Sequence, residues 1–256
     1  MRVDTISLMK LFSLIVLFTS LTGLFGTSAY CEGPITVAVI DTGFGFQNLG
    51  HQANLCKYGH KDFSADKKFS KDYGTADPIP VDLNSHGTNI VGVIDQYAGP
   101  KKNYCIVVLK YFSEKHTGQQ NLNSFTRAVK YATNIKAKFI NYSGGGPNFD
   151  LEEYNAIEKF LNQGGKFIAA AGNEHSDLVK NHYYPAVYDP RIVVVGNRKK
   201  AKCKLTNDQC RSATSNYGIG VTRWEVGEDV TAYGITMTGT SQATAIATGK
   251  IVSESK

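Results

Sequence analysis

The stretch Ile35-Thr36-Val37-Ala38-Val39-Ile40 has no polar face. A strand on a half-exposed sheet alternates apolar with polar residues, whereas a continuous apolar, β-branched run reads as a strand covered on both sides, as in a parallel sheet sandwiched by helices. Residues 104–109, 139–142, 167–171 and 192–195 have the same character. Helical spacing recurs between these runs. Asn123-Ser124 is a candidate cap for a helix with Phe125, Ala128, Val129 and Ala132 on its apolar face. Asp150 and Glu153 make a capping-box-like start to a second helix, whose face is Leu151, Tyr154, Ile157, Phe160 and Leu161 and whose stop is Gly164-Gly165. Alternation of this kind predicts an α/β fold in three layers, a mostly parallel sheet with helices on both faces and right-handed crossovers. Functional loops of such a sheet gather beyond the C-terminal ends of the strands. Asp41, Ser143 and Asn173 all fall at or just past such ends.

Three short motifs carry chemistry. The first run closes in Asp41-Thr42-Gly43. Asn84-Ser85-His86-Gly87-Thr88-Asn89 opens another apolar stretch at residues 90–94. Gly239-Thr240-Ser241-Gln242-Ala243-Thr244-Ala245 presents a serine on a small-residue turn ahead of a helical pattern. A hydroxyl nucleophile, an imidazole base and a carboxylate that fixes the base's tautomer form a hydrolytic triad, and the chain order Asp, His, Ser is one of those in which it occurs. Each motif alone is common in loops: Asp41 is also a reasonable turn cap and Asn173 a reasonable loop hydrogen-bonder.

Together, Val39-Ile40-Asp41-Thr42-Gly43, Ser85-His86-Gly87-Thr88 and Gly239-Thr240-Ser241 resemble the signature blocks of the subtilisin-like serine proteases. Ile140-Asn141-Tyr142-Ser143-Gly144-Gly145-Gly146 resembles the family's substrate-binding strand and Ala169-Ala170-Ala171-Gly172-Asn173-Glu174 its oxyanion segment. Tyr184-Pro185-Ala186-Val187 and Ser215-Asn216-Tyr217-Gly218 follow in family order. The resemblance implies a subtilisin-like fold over residues 30–256 and a serine endopeptidase acting through an acyl-enzyme on a polypeptide substrate. Its catalytic residues would be Asp41, His86 and Ser241, with Asn173 as oxyanion donor. Ser143, Gly144, Gly145, Gly172 and Glu174 would contact substrate, Glu174 near the mouth of the specificity pocket, where it would tolerate basic side chains. The alternative is a protease-like peptide-binding module with an unproductive site.

The chain departs from the family pattern in several places. The family carries a leucine where Gly144 stands, and its loss is expected to open a side-chain pocket. Asn89 replaces a second histidine, Gln242 a methionine and Ala245 a proline that would stiffen the entry to the serine-bearing helix. Only Tyr30 to Pro34 separate the leader from the first strand, where the family has a folding pro-domain, so the chain is expected to fold unaided or with a helper in trans. With Lys256 close behind Ser241, apolar surface around Ile246 and Ile251 is expected to be exposed or covered by a partner.

Residues 1–29 read as a secretory signal. Arg2 and Lys10 flank its start, residues 11–25 are mostly apolar but too diluted by polar residues to span a bilayer, and Thr27-Ser28-Ala29 supplies small residues for cleavage. Export to the medium or periplasm follows, with no stable membrane anchor after cleavage. The five cysteines suit an oxidising compartment, and Cys203 with Cys210 is the expected pair. The net charge of +6 is carried by scattered lysines without an aromatic-basic platform, which argues against a nucleic-acid partner. The histidines outside the triad motif (His51, His60, His116, His175, His182) show no metal-ligand spacing, so no cofactor is expected. Structural calcium occurs in the family, but no ligands can be mapped onto this chain.

Overall fold

Ile35–Asp41 forms β1, the third strand of a seven-stranded sheet, and every one of its residues from Val37 onward is buried. The computed structural model describes residues 33–49, 53–64, 80–100, 103–200 and 210–255; the expected signal segment, His51 and Cys203 lie outside them. After β1 come α1 (Phe46–Leu49), β2 (Lys61–Asp62), α2 (His86–Ala98), β3 (Tyr104–Lys110), α3 (Gly118–Asn134) and β4 (Phe139–Tyr142). The chain continues through α4 (Leu151–Asn162), β5 (Lys166–Ala170), β6 (Val193–Asn197) and β7 (Arg223–Glu225). A short antiparallel hairpin, β8 (Val230–Ala232) with β9 (Ile235–Met237), leads into α5 (Thr240–Glu254). The sheet order is β2-β3-β1-β4-β5-β6-β7, and all six pairings are parallel.

The period of two along each strand divides the interior into two cores. Ala38, Ile40, Val107, Leu109, Ile140 and Phe167 face the layer containing α3 and α4. Val37, Val39, Ile106, Val108, Phe139 and Ile168 face the layer containing α2 and α5. The expected α/β, three-layer architecture is therefore observed, and it is the double coverage that makes the strands apolar on both faces. Among the described residues no helix is long and apolar enough to cross a membrane.

Three local expectations are corrected. Helix α3 does not begin at Asn123-Ser124 but at Thr117, where a full capping box with Gln120 satisfies both ends of the turn. Ser124 sits inside the helix, donating to Gln120 O at 3.0 Å and to Phe63 O at 3.1 Å. At α4, Asp150 Oδ1 does accept from Glu153 N at 2.9 Å, but the Glu153 carboxylate turns inward to the Tyr188 hydroxyl instead of closing the box. Ile246 and Ile251 are only 2% and 8% exposed, packed among the residues of the α2–α5 core, so the expected exposed patch on α5 is not present.

Cys56 is disulfide-bonded to Cys105 on β3. Cys210 is also disulfide-bonded, and its expected partner Cys203 lies outside the described residues.

Candidate active site

Each catalytic candidate occupies the end of an element. Asp41 is the last residue of β1, and Ser143 follows β4, the neighbouring strand. Asn173 lies just beyond β5, the next strand over. His86 is the first residue of α2, and Ser241 the second of α5. The first turns of these two helices are joined: Gln242 Nε2 donates to Asn89 Oδ1 at 3.1 Å, and Asn89 Nδ2 donates to Ile235 O at 2.8 Å. Both side chains are buried. Two separate departures from the family pattern therefore compensate each other, each supplying the polar partner that the other's burial requires.

His86 Nδ1–H donates to Asp41 Oδ1 at 2.7 Å; the aspartate side chain is 4% exposed and the imidazole 25%. The Asp41 charge, the larger influence, raises the His86 pKa above 6.5 against the opposing effect of burial. A second carboxylate, Asp82, organises the turn before His86. Asp82 Oδ1 accepts from Thr42 Oγ1, Asn84 N and Ser85 N at 2.9 Å each, and Asp82 Oδ2 accepts from Thr88 N at 2.8 Å and from the Thr88 hydroxyl. Thr42 Oγ1 in turn accepts from Gly87 N at 2.8 Å. These bonds outweigh burial and keep the Asp82 pKa below its usual value. They also fix Ser85, which adopts a left-handed φ of 69° immediately before His86. Gly87 is required by space, since a Cβ there would lie 2.3 Å from Gly43 O.

On the serine side, Thr240 N donates to Asn173 Oδ1 at 3.0 Å and Thr240 Oγ1 does so at 3.2 Å. The amide oxygen is thus engaged, and Asn173 Nδ2 makes no hydrogen bond among the described residues. The Ser241 N–H is likewise free among them. The Ser241 hydroxyl donates to Ser143 O at 3.0 Å rather than to His86, and Ser143 Oγ donates to Ser241 O at 3.1 Å. Catalytic hydrogen bonds that form only in the substrate complex are common in unliganded sites. Rotation about the Ser241 side chain would release Ser143 O at the moment a substrate N–H could take its place.

Gly145 is exposed, and neither its N–H nor its C=O is paired among the described residues, leaving a backbone edge free for an extended chain. Gly146 is paired on its other side with Tyr184 by bonds of 2.9 and 2.7 Å. A Cβ at Gly144 would lie 2.7 Å from Tyr111 Oη and 3.0 Å from Tyr142 Cζ, and the same two phenols line a cavity that reaches Gly145, Gly146 and Tyr184. Glu174 is exposed, with Oε2 accepting from Asn216 Nδ2 at 2.6 Å. Asn216 also accepts from Glu174 N and Ser176 N and donates to Ala171 O, which shapes the loop after Gly172. Among the described residues no three His, Cys, Asp or Glu side chains group as a metal site.

The sequence model of the subtilase family matches residues 33–253. Subtilisin-like protease 6 of Arthroderma benhamiae is 31% identical over 202 residues, covering 72% of this chain and 45% of the relative. The thermophilic serine proteinase of Bacillus sp. (strain AK1) is 29% identical over 215 residues, covering 81% and 46%. The crystal structure of a cold adapted subtilisin-like serine proteinase is similar at a TM-score of 0.66 and 26% identity, over 85% of this chain and 73% of that one. The chain thus spans about half the length of the curated relatives it matches and most of the solved one.

Proposed function

This chain belongs to the subtilase family, and on that premise we propose that it is an exported serine endopeptidase acting through Asp41, His86 and Ser241. The observation that carries the reading is the 2.7 Å bond from His86 Nδ1 to the buried Asp41 carboxylate. It fixes the tautomer in which Nε2 is the base, on a ring that remains partly open to substrate.

The geometry supports the following course. An extended polypeptide pairs with the free edge at Gly145 and offers a backbone N–H to Ser143 O. Ser241 Oγ turns from that carbonyl toward His86 Nε2, gives up its proton there and bonds to the scissile carbonyl carbon. The oxygen becomes an anion held by the Ser241 N–H and Asn173 Nδ2, two donors without another partner among the described residues. Loss of the asparagine donor in subtilisin costs about 10²–10³ in kcat, a magnitude that belongs to that relative and sets the scale here. The tetrahedral adduct collapses, the C–N bond breaks, and the imidazolium protonates the leaving amine. Water, deprotonated by His86, then hydrolyses the acyl-enzyme by the same route. Residues 1–29 serve as the export signal, a reading supported by the Cys56–Cys105 disulfide, which persists in an oxidising compartment such as the periplasm or the medium.

A fluorophosphonate probe tests the assignment on the mature protein. Wild type is expected to label, and Ser241→Ala and His86→Ala are expected to abolish labelling. Absence of labelling in folded wild type would overturn the reading. It would favour a peptide-binding protein whose serine stays on Ser143 O, the partner it has here.

A further inference from the structure

The segments Ser143–Gly145 and Gly172–Asn173 flank Ser241: Ser143 O accepts from Ser241 Oγ at 3.0 Å and Asn173 Oδ1 from Thr240 N at 3.0 Å. The side chain of a substrate residue whose N–H met Ser143 O would enter the slot between them. Both walls are glycine, and the slot is already occupied. A Cβ built on Gly145 would lie 2.3 Å from Tyr183 Cε1 and 2.8 Å from its Cζ. A Cβ built on Gly172 would lie 3.0 Å from Tyr183 Cε2. Ordinary contacts between carbon atoms are about 3.5–4.0 Å, so the far end of the Tyr183 ring rests directly on both glycine backbones. The ring is not a loose surface group. Its backbone neighbour Tyr184 is locked to Gly146 by two hydrogen bonds, and the ring packs against the core shared with α3 and α4. Glu174 and Asn216 close the slot beside Gly172, with Glu174 Oε2 2.5 Å and Asn216 Nδ2 2.4 Å from the same built Cβ.

We propose that Tyr183 is a specificity-determining residue that fills the side-chain slot beside Ser241 and restricts cleavage to bonds following small residues such as glycine, alanine and serine. The inference rests on the endopeptidase reading for its biological meaning, but the shape of the slot can be tested without turnover. At Gly145 the ring, with Tyr184 O at 2.5 Å, takes the space that a Cβ would use; at Gly172 Asn216 Nδ2 and Glu174 Oε2 stand nearer than the ring, and a φ of +97° itself calls for glycine. The Glu174 carboxylate, which sequence reasoning linked to basic side chains, is bonded to Asn216 at 2.6 Å.

The test is a set of internally quenched peptides identical except at the residue before the cleaved bond: Gly, Ala, Ser, Leu, Phe, Lys or Arg. Wild type is expected to cleave the Ala peptide at least about 100-fold faster, in kcat/KM, than the Phe, Leu, Lys or Arg peptides, in the range by which a pocket rejects side chains that do not fit. Tyr183→Gly and Tyr183→Ala should raise kcat/KM for Leu and Phe, relative to that for the Ala peptide, by a similar factor. Tyr183→Phe, which keeps the ring, should keep the restriction. Fluorophosphonate labelling of each variant checks that its site is assembled. In the Ser241→Ala protein, fluorescence anisotropy should show peptides ending in Ala binding at least about tenfold tighter than peptides ending in Phe. A labelled wild type that cleaves after Phe, Leu, Lys or Arg as readily as after Ala would mean that the ring swings aside, and would overturn the inference. An unlabelled wild type whose Ser241→Ala form still prefers Ala-ending peptides would overturn the protease reading and leave the slot assignment standing. Equal binding of the two peptides would overturn the slot.

Discussion

Replacing Glu153 by glutamine should change the pH dependence of stability in a calculable way. Glu153 is 3% exposed and takes one hydrogen bond, 2.6 Å from the Tyr188 hydroxyl, on its carboxyl group. Burial, aided by the Asp150 charge and only partly offset by Tyr188, raises its pKa from 4.5 to about 7. Between those two values the folded chain holds a proton that the unfolded chain has lost. The sign is therefore the reverse of the usual carboxylate: this group's contribution is complete below pH 4.5 and is lost as pH rises through about 7. The difference of about 2.5 pKa units, at about 1.4 kcal/mol each, amounts to roughly 3 kcal/mol. The substituted amide cannot ionise, yet it keeps the shape and an oxygen acceptor for Tyr188. The stability of Glu153→Gln relative to the parent should rise by roughly 3 kcal/mol between about pH 4.5 and pH 8.5, which for a chain of this size is about 6–12 °C in Tm. Thermal melts of both proteins in a Ser241→Ala background, which prevents autolysis, measure this directly. A difference in Tm that stays constant across the range would refute the reasoning, because it would mean that Glu153 ionises in the fold as it does in water.

Two further outcomes are expected. Asp82→Asn retains one acceptor oxygen and forfeits the bonds at the other, so it should cost about 2–4 kcal/mol in urea unfolding. By letting His86 drift it should lower kcat about 10²-fold with little change in KM; a fall in stability without a fall in kcat would show that Asp82 does not position the base. Because Asp41 raises the His86 pKa and the base acts when neutral, kcat/KM should fall as pH drops through a value above 6.5, and this acid limb should move to lower pH in Asp41→Asn, whose activity is much reduced. An acid limb at the same pH in both proteins would remove His86 as the titrating group.

The parts of this molecule that were legible in the sequence are those that one segment decides alone. Val37, Val39, Ile106 and Ile168 are apolar where a surface strand would be polar, and each proved to lie in a doubly covered strand. The pairing of Asp41 with His86 was legible because the blocks around them are dense in the small residues that tight turns demand. What could not be read depends on contacts remote in sequence. The space beside Gly144 looks open until Tyr111, just past β3, is brought to it. Asn89 and Gln242 look like two unrelated losses until α2 and α5 set them within 3.1 Å. The start of α3 was misplaced because Asn123-Ser124 has the composition of a cap, while the actual cap at Thr117 precedes a polar first turn with no apolar stripe to announce it. Asp82 carried no motif of its own; its role appears only in the five groups that converge on it.

The two helices that bear His86 and Ser241 begin side by side, yet their starts are treated differently. Neither Ser85 nor Gly239 caps its helix with a side chain. Each helix presents the positive pole of a macrodipole, equivalent to about half an elementary charge. At α2 that pole is met by the Asp82 carboxylate through Thr88 N. At α5, among the described residues, it meets only the uncharged Asn173 carbonyl, which takes Thr240 N and leaves the next N–H open. The electric field of the site is therefore lopsided: balanced around the imidazole and unbalanced at the serine. The open N–H at the start of α5 is the end of that field left without a counter-charge among the described residues.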